Sequence, residues 1–80
     1  DGAYLFEGKT HIGDFERVMT LPEEALTDVK GEAETLAGLM LEIKRELLKK
    51  GDTVTTHGLR LTVKAVDGRR VDKIRVERID

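Results

Sequence analysis

The stretch GEAETLAGLMLEIKRELL (31–48) is followed by GD (51–52) and then by VDGRRVDKIRV (66–76), and the change of pattern between them decides the fold. From Asp52 onward, apolar and polar residues alternate with a period of two, as in half-buried β-strands. The chain therefore combines a helical half with a strand half, which predicts an α+β domain. In the helical half, apolar residues recur with the period of an amphipathic helix at Leu36, Leu39, Met40, Ile43 and Leu47.

The charges at the ends of this helix fit its dipole. Glu32 and Glu34 lie near its start, lysine and arginine residues lie near its end, and Gly51 is predicted to close it. Gly38 inside the helix costs about 1 kcal/mol relative to alanine. We expect a strand to cross close to the helix there, because close approach of a backbone is one reason for accepting that cost.

Leu41 and Leu48 lie to one side of the apolar stripe on this helix, so the helix carries more apolar surface than one sheet face covers. Two interpretations are open. Either the short first helix and the loop at 20–30 cover these leucines, or they contact a partner domain or another copy of the chain. Leu41 and Leu48 are therefore the candidate interaction surface.

The strand half predicts two β-hairpins. A two-residue turn at His57-Gly58 sets Val54 opposite Leu61. For the next hairpin, a four-residue loop (67–70) matches apolar with apolar residues better than a two-residue turn at 67–68 does. The chosen register has these partners: Val63 with Ile74, Leu61 with Val76, Arg60 with Glu77, and, on the solvent face, Lys64 with Lys73 and Val66 with Val71.

The first thirty residues predict one more strand and a short helix. Ala3 to Glu7 reads as a strand, Thr10 can cap an amphipathic helix over 11–19, and Pro22 to Thr27 fits one further helical turn. With the three later strands, this gives a four-stranded, mainly antiparallel sheet with helices packed on one face.

Length and composition exclude several classes of protein. Eighty residues make one domain with a modest core, and the absence of cysteine and serine removes disulfides, thiolate sites and serine nucleophiles. The 14 basic and 16 acidic residues give a net charge of −2, unlike a nucleic-acid binder, although residues 1–50 are net negative and residues 51–80 net positive. No apolar run approaches the roughly 18 residues that span a bilayer, so insertion of this chain is not expected. Because the chain starts at Asp1 and enters a strand almost at once, we expect residues 1–80 to be a single domain of a longer protein.

The remaining polar residues give weak signals for chemistry. His11 and His57 belong to no spaced ligand motif, and the acidic residues at 23–34 lack the spacing of a calcium loop, so no metal or catalytic residues are assigned. Phosphate-binding glycine motifs are missing as well. The basic residues of the strands fit an acidic partner or an anionic membrane surface better than nucleic acid, because no aromatic residues are interleaved with them. These basic residues are Arg60, Lys64, Arg69, Arg70, Lys73 and Arg75.

Several segments resemble the bacterial transporter-associated domain of the CorC/HlyC type. The most recognisable are ETLAGLMLEI (34–43), GD (51–52), GLRLTV (58–63) and DGRRVDKIRV (67–76), and FEGKTHIGDFERVM (6–19) is similar to the opening strand and helix of that family. The chain departs from the family pattern at Ala33, Leu48 and Leu61, which affect packing rather than chemistry.

This resemblance implies the C-terminal, cytosolic domain of a bacterial inner-membrane protein, placed after a transmembrane domain and a pair of CBS domains. Those domains are the implied partners, and a homo-oligomer is a further expectation. The implied role is that of a non-catalytic accessory domain that modulates magnesium and cobalt efflux in a family that includes hemolysin-like proteins. The fold implied is similar to part of the FAD-binding fold of flavin-linked oxidases. A flavin or adenine-nucleotide module is therefore the alternative, with FAD as its cofactor and no cofactor-binding residues identified.

Overall fold

The computed structural model describes residues 2–79, which form four strands and three helices. The single sheet has the order β1-β4-β3-β2, with every neighbouring pair antiparallel. The predicted first strand is confirmed with its bounds, and the α+β class with a four-stranded antiparallel sheet is confirmed as well. In chain order the elements are β1 (Ala3–Glu7), α1 (Ile12–Val18), α2 (Thr27–Lys30), α3 (Leu36–Lys44), β2 (Thr53–Thr56), β3 (Leu59–Asp67) and β4 (Arg70–Arg78).

The predicted register of the sheet is confirmed along most of its length. Val54 pairs with Leu61, and Leu61 in turn lies opposite Val76 on the other side. Val63 pairs with Ile74, so the central strands place apolar residues beside apolar residues on one face. The turn at 57–58 is also confirmed: His57 and Gly58 have φ values of 53° and 74°, the left-handed pair that a tight two-residue hairpin requires.

The second hairpin differs from the prediction near its turn. Asp67 pairs with Arg70, so the loop has two residues and not four. The register shifts on either side of Ala65, which pairs with Lys73, and the predicted pairing of Lys64 with Lys73 is wrong.

These irregularities also turn Val71 inward. It pairs with Val66 as predicted, but its side chain is only 6% exposed, whereas that of Val66 is 38% exposed. The expectation that both valines share the solvent face is therefore wrong. An extra residue on each strand changes which face the following side chains point to.

The core lies between the helices and one face of the sheet. Alternate residues of the central strands are buried, while the residues between them, such as Arg60 and Arg75, are exposed on the opposite face. The molecule is thin, with principal extents of 32 × 31 × 18 Å, as expected of two layers. The fully buried large side chains are Phe15, Met19, Leu26, Leu36, Leu39, Met40, Leu59, Leu61, Val63, Ile74 and Val76.

Helix α1 starts later than predicted because the chain before it is held in an extended form. The backbone N–H of Ile12 donates to the carbonyl of Glu34 at 3.0 Å, and the N–H of Leu36 donates to the carbonyl of Thr10 at 2.8 Å. His11 therefore occupies the N-cap, without a side-chain cap, and the prediction of Thr10 as cap is wrong.

The loop after α1 is organised by a buried carboxylate. Glu16 is only 6% exposed, and its two carboxylate oxygens accept hydrogen bonds from the backbone N–H groups of Glu24 and Leu26, each at 3.3 Å. The predicted turn is present, since the N–H of Ala25 donates to the carbonyl of Pro22 at 3.0 Å, but the helix itself begins at Thr27. The buried carboxylate thus fixes the segment that places Leu26 in the core.

Helix α3 is shorter at both ends than the predicted 31–48. Thr35 is its N-cap, and the Thr35 hydroxyl accepts a hydrogen bond from the N–H of Gly38 at 3.2 Å. At the other end Arg45 adopts a left-handed conformation (φ 63°), and its N–H donates to the carbonyl of Leu41. The helix therefore ends at Lys44, and the expectation that Gly51 closes it is wrong.

The expectation that a strand crosses close to Gly38 is also wrong. A Cβ built at this position would lie 3.1 Å from the Cβ of Ala33, in the segment that leads into the helix, and no strand is the nearest neighbour. The close strand crossing lies instead at Gly8, where a Cβ would come within 2.1 Å of the carbonyl oxygen of Val71.

Candidate docking surface

The early end of α3 leaves two leucines exposed beside it. Leu41, in the last turn, is 49% exposed, and Leu47, in the irregular segment after the helix, is 63% exposed. Leu48 instead turns into the core and is 8% exposed. Exposed leucines close together on a small domain are typical of a contact site.

Two open hollows adjoin these leucines and share both of them. The first, the acidic hollow, has a volume of about 440 Å³. The second, the basic hollow, has a volume of about 180 Å³ and lies between α3, the segment 47–48 and the start of β4. The acidic hollow is lined by Leu41, Glu42, Arg45, Glu46 and Leu47, and the basic hollow by Ala37, Gly38, Leu41, Leu47, Leu48, Arg69, Arg70 and Val71. We call the two exposed leucines with both hollows the leucine surface.

The two hollows differ in charge. Arg69 and Arg70 lie at the turn between β3 and β4, and neither forms an ion pair within 4.0 Å with any residue in the described range 2–79. On the other side, Glu42 and Glu46 outnumber Arg45, whose Nε donates to the backbone carbonyl of Glu42 at 3.1 Å. The apolar centre therefore separates a net positive side from a net negative one.

The two predicted interaction residues, Leu41 and Leu48, differ in exposure. Leu41 is exposed and lines both hollows, whereas Leu48 lies in the core with part of its surface in the basic hollow. Leu47, which the sequence pattern assigns to the core stripe, is the most exposed of the three leucines. Periodicity alone predicts a buried Leu47 and an exposed Leu48, the reverse of what the structure shows, because it continues the helix past the left-handed residue Arg45.

The two histidines lie on different elements, and His11 lines a hollow together with Glu16, Glu24 and Glu34. His11 is exposed at the start of α1, and the Nε2 of His57 lies 3.1 Å from the Oδ1 of Asp28, which joins the first hairpin to α2. Within residues 2–79, no three histidine or carboxylate side chains converge in a way that could hold a metal ion. His11 stands at the N-cap of α1, and His57 lies in the hairpin turn beside Asp28.

Three of the six basic strand residues, Arg60, Lys73 and Arg75, pair with neighbouring carboxylates. Glu77 accepts from Arg60 at 2.8 Å and also pairs with Arg75, and Lys73 lies 3.9 Å from a carboxylate oxygen of Glu7. Lys64, Arg69 and Arg70 form no ion pair within the described residues 2–79, and of these three Arg69 and Arg70 line the basic hollow.

None of the helices in the described part of the chain is both long and apolar enough to cross a bilayer. The structure is thus a small two-layer α+β domain with two exposed leucines beside its last helix.

Comparison with known proteins identifies the family to which this domain belongs. The family model described as "Transporter associated domain", of the CorC/HlyC type, matches residues 1–80, and the chain belongs to that family. The transporter-associated domain of a CBS domain protein from Porphyromonas gingivalis is similar in structure, with a TM-score of 0.91 and 42% identity over 100% of this chain and 92% of that one. That solved chain is little longer than the present one, so a domain of this size folds without further segments.

Two curated relatives are much longer. The polyamine export protein of Escherichia coli (strain K12) is 32% identical over 80 residues, which are 100% of this chain and 17% of that protein. Hemolysin C of Brachyspira hyodysenteriae is 33% identical over 79 residues, which are 99% of this chain and 28% of that protein. The chain thus spans less than a third of either relative, and the family is one of domains associated with transporters.

Proposed function

We propose that this domain is a non-catalytic accessory domain of a CBS-domain membrane protein, and that it modulates transport through contacts made by the leucine surface. The observation that carries the proposal is the exposure of Leu41 and Leu47 between two hollows of opposite charge. Family membership supports the association with a transporter. In the full-length protein the domain lies on the cytoplasmic side of the inner membrane and contacts the CBS and transmembrane domains.

The proposed cargo is a cation. The family resemblance implies magnesium and cobalt efflux, and the E. coli relative carries the name of a polyamine exporter. These cargoes have in common only their positive charge. The proposed full-length protein is therefore described as a cation exporter.

Deleting residues 1–80 from the full-length protein tests the proposed function. Efflux of Mg²⁺, Co²⁺ and a polyamine such as spermidine is measured in cells that express equal amounts of the intact and shortened proteins. We expect the deletion to change the efflux of at least one of these cations while membrane insertion stays normal. Equal efflux of all three from both proteins would refute the accessory role.

The alternative function, binding of FAD or an adenine nucleotide, gives a separate prediction. We expect the melting temperature of the isolated domain to be unchanged by FAD, ATP or Mg²⁺, because the proposed surface serves contacts between proteins. A ligand present at a hundred times its dissociation constant would add about 2.7 kcal/mol of stability. Thermal denaturation followed by circular dichroism, with and without each ligand, measures this, and a clear rise with FAD or ATP would favour the small-molecule module.

A further inference from the structure

The leucine surface has a charge pattern that is complementary to itself. Its apolar centre, Leu41 and Leu47, belongs to both hollows, so the acidic hollow extends from one side of these leucines and the basic hollow from the other. A two-fold axis that passes through this centre at right angles to the line joining the two hollows brings each side of one copy against the opposite side of the second copy. The basic hollow of each copy then faces the acidic hollow of the other, and the leucines of the two copies meet at the centre.

We propose that the partner of the leucine surface is a second copy of this domain, packed around a two-fold axis through Leu41 and Leu47. In this arrangement Arg69 and Arg70 of each copy face Glu42 and Glu46 of the other. The inference rests on the proposed function, since it names the partner of the same surface.

The residues on the two sides suit such a contact. Arg69 and Arg70 have no carboxylate within 4.0 Å in the described residues, so they are available to a partner's carboxylates. Glu46 is exposed as well. Apolar burial in the centre supplies attraction, and the surrounding charges fix orientation and disfavour other partners. A partner with a single sign of charge would satisfy one hollow and be repelled by the other.

A charge-exchange experiment on the isolated domain tests this arrangement. One variant carries Arg69→Glu with Arg70→Glu, and the other carries Glu42→Lys with Glu46→Lys. Sedimentation equilibrium over a concentration series that reaches the millimolar range measures self-association, and circular dichroism verifies that each variant is folded. We expect the unchanged domain to dimerise, each variant alone to associate at least about tenfold more weakly, and an equal mixture of the two variants to form heterodimers.

A single substitution, Leu47→Asp, tests the apolar centre without altering either charged side. Because Leu47 is 63% exposed, the variant is expected to fold normally and to lose self-association. Val18→Asp is the matched control: this side chain is 53% exposed, lines neither hollow, and its replacement is expected to leave the dimer intact.

Other outcomes overturn the proposal. A domain that stays monomeric at every concentration contradicts it, and so does a mixture of the two charge variants that associates no better than either alone. Binding of the monomer to phosphatidylglycerol vesicles, strengthened by Glu42→Lys with Glu46→Lys, would assign the surface to an anionic membrane instead. If the isolated domain does not dimerise but deletion of the domain still changes efflux, the proposed dimer is refuted and the proposed function remains.

Discussion

Replacing Leu39 with alanine is expected to lower the free energy of unfolding by about 2–5 kcal/mol, because the side chain is fully buried between α3 and the sheet. Removal of its methyl groups loses their transfer free energy and leaves a cavity that the neighbours fill only in part. For a domain of this size, with an expected stability of about 4–12 kcal/mol, that loss is a large fraction of the total. Urea denaturation followed by circular dichroism measures it.

Leu41→Ala is the matched control, since Leu41 lies two residues further along the same helix and is 49% exposed. We expect its stability to stay within about 0.5 kcal/mol of the unchanged domain. Alanine is a good helix former, so propensity does not confuse the comparison. Equal losses from the two substitutions would mean that the helix buries a different face from the one described.

Replacing Gly8 with alanine is expected to cost about 3 kcal/mol or more. The new Cβ would lie 2.1 Å from the carbonyl oxygen of Val71 and 3.3 Å from the Cβ of Ala37. Gly8 is held on both sides by hydrogen bonds: its N–H donates to the carbonyl of Asp72, and its carbonyl accepts from the N–H of Ala37, each at 2.9 Å. Relief of the clash therefore requires β1 to separate from β4 or α3 to shift.

Gly13→Ala is the control for this substitution. A Cβ at Gly13 meets nothing within 4 Å, and the residue lies in α1, where alanine is preferred over glycine. We expect stability to be unchanged or raised by up to about 1 kcal/mol. Thermal and urea denaturation of the two variants side by side measure the contrast, and a loss below about 1 kcal/mol for Gly8→Ala would contradict the close approach.

The sheet was predictable from sequence because its pattern is redundant. Matching apolar residues across the hairpins fixes the register, so the pairing of Val63 with Ile74 follows from the sequence and holds in the structure. The irregularities around Ala65 were not predictable. An extra residue on each of two strands leaves the pairing register the same before and after, so matching apolar residues across the hairpin does not reveal it.

The ends of α3 show where periodicity stops being informative. Residues 31–35 carry the acidic residues expected at a helix start, but this segment bonds to the backbone around Thr10 and His11, a tertiary contact that no local pattern reveals. At the other end, Arg45 adopts a left-handed conformation that glycine or asparagine usually occupies. The candidate surface was thus half predictable: Leu41 follows from its position off the stripe, whereas Leu47 follows only from the early end of the helix.

Cation efflux by the full-length protein carrying Leu41→Asp together with Leu47→Asp is the decisive measurement of what the leucine surface does. Both side chains are exposed, so the fold is expected to remain, and Val18→Asp serves as an exposed control outside the two hollows. We predict that the double variant changes efflux to the same extent as deletion of the whole domain, while the control behaves like the unchanged protein. Normal efflux from the double variant, together with altered efflux after the deletion, would contradict the claim that this domain acts through its leucine surface.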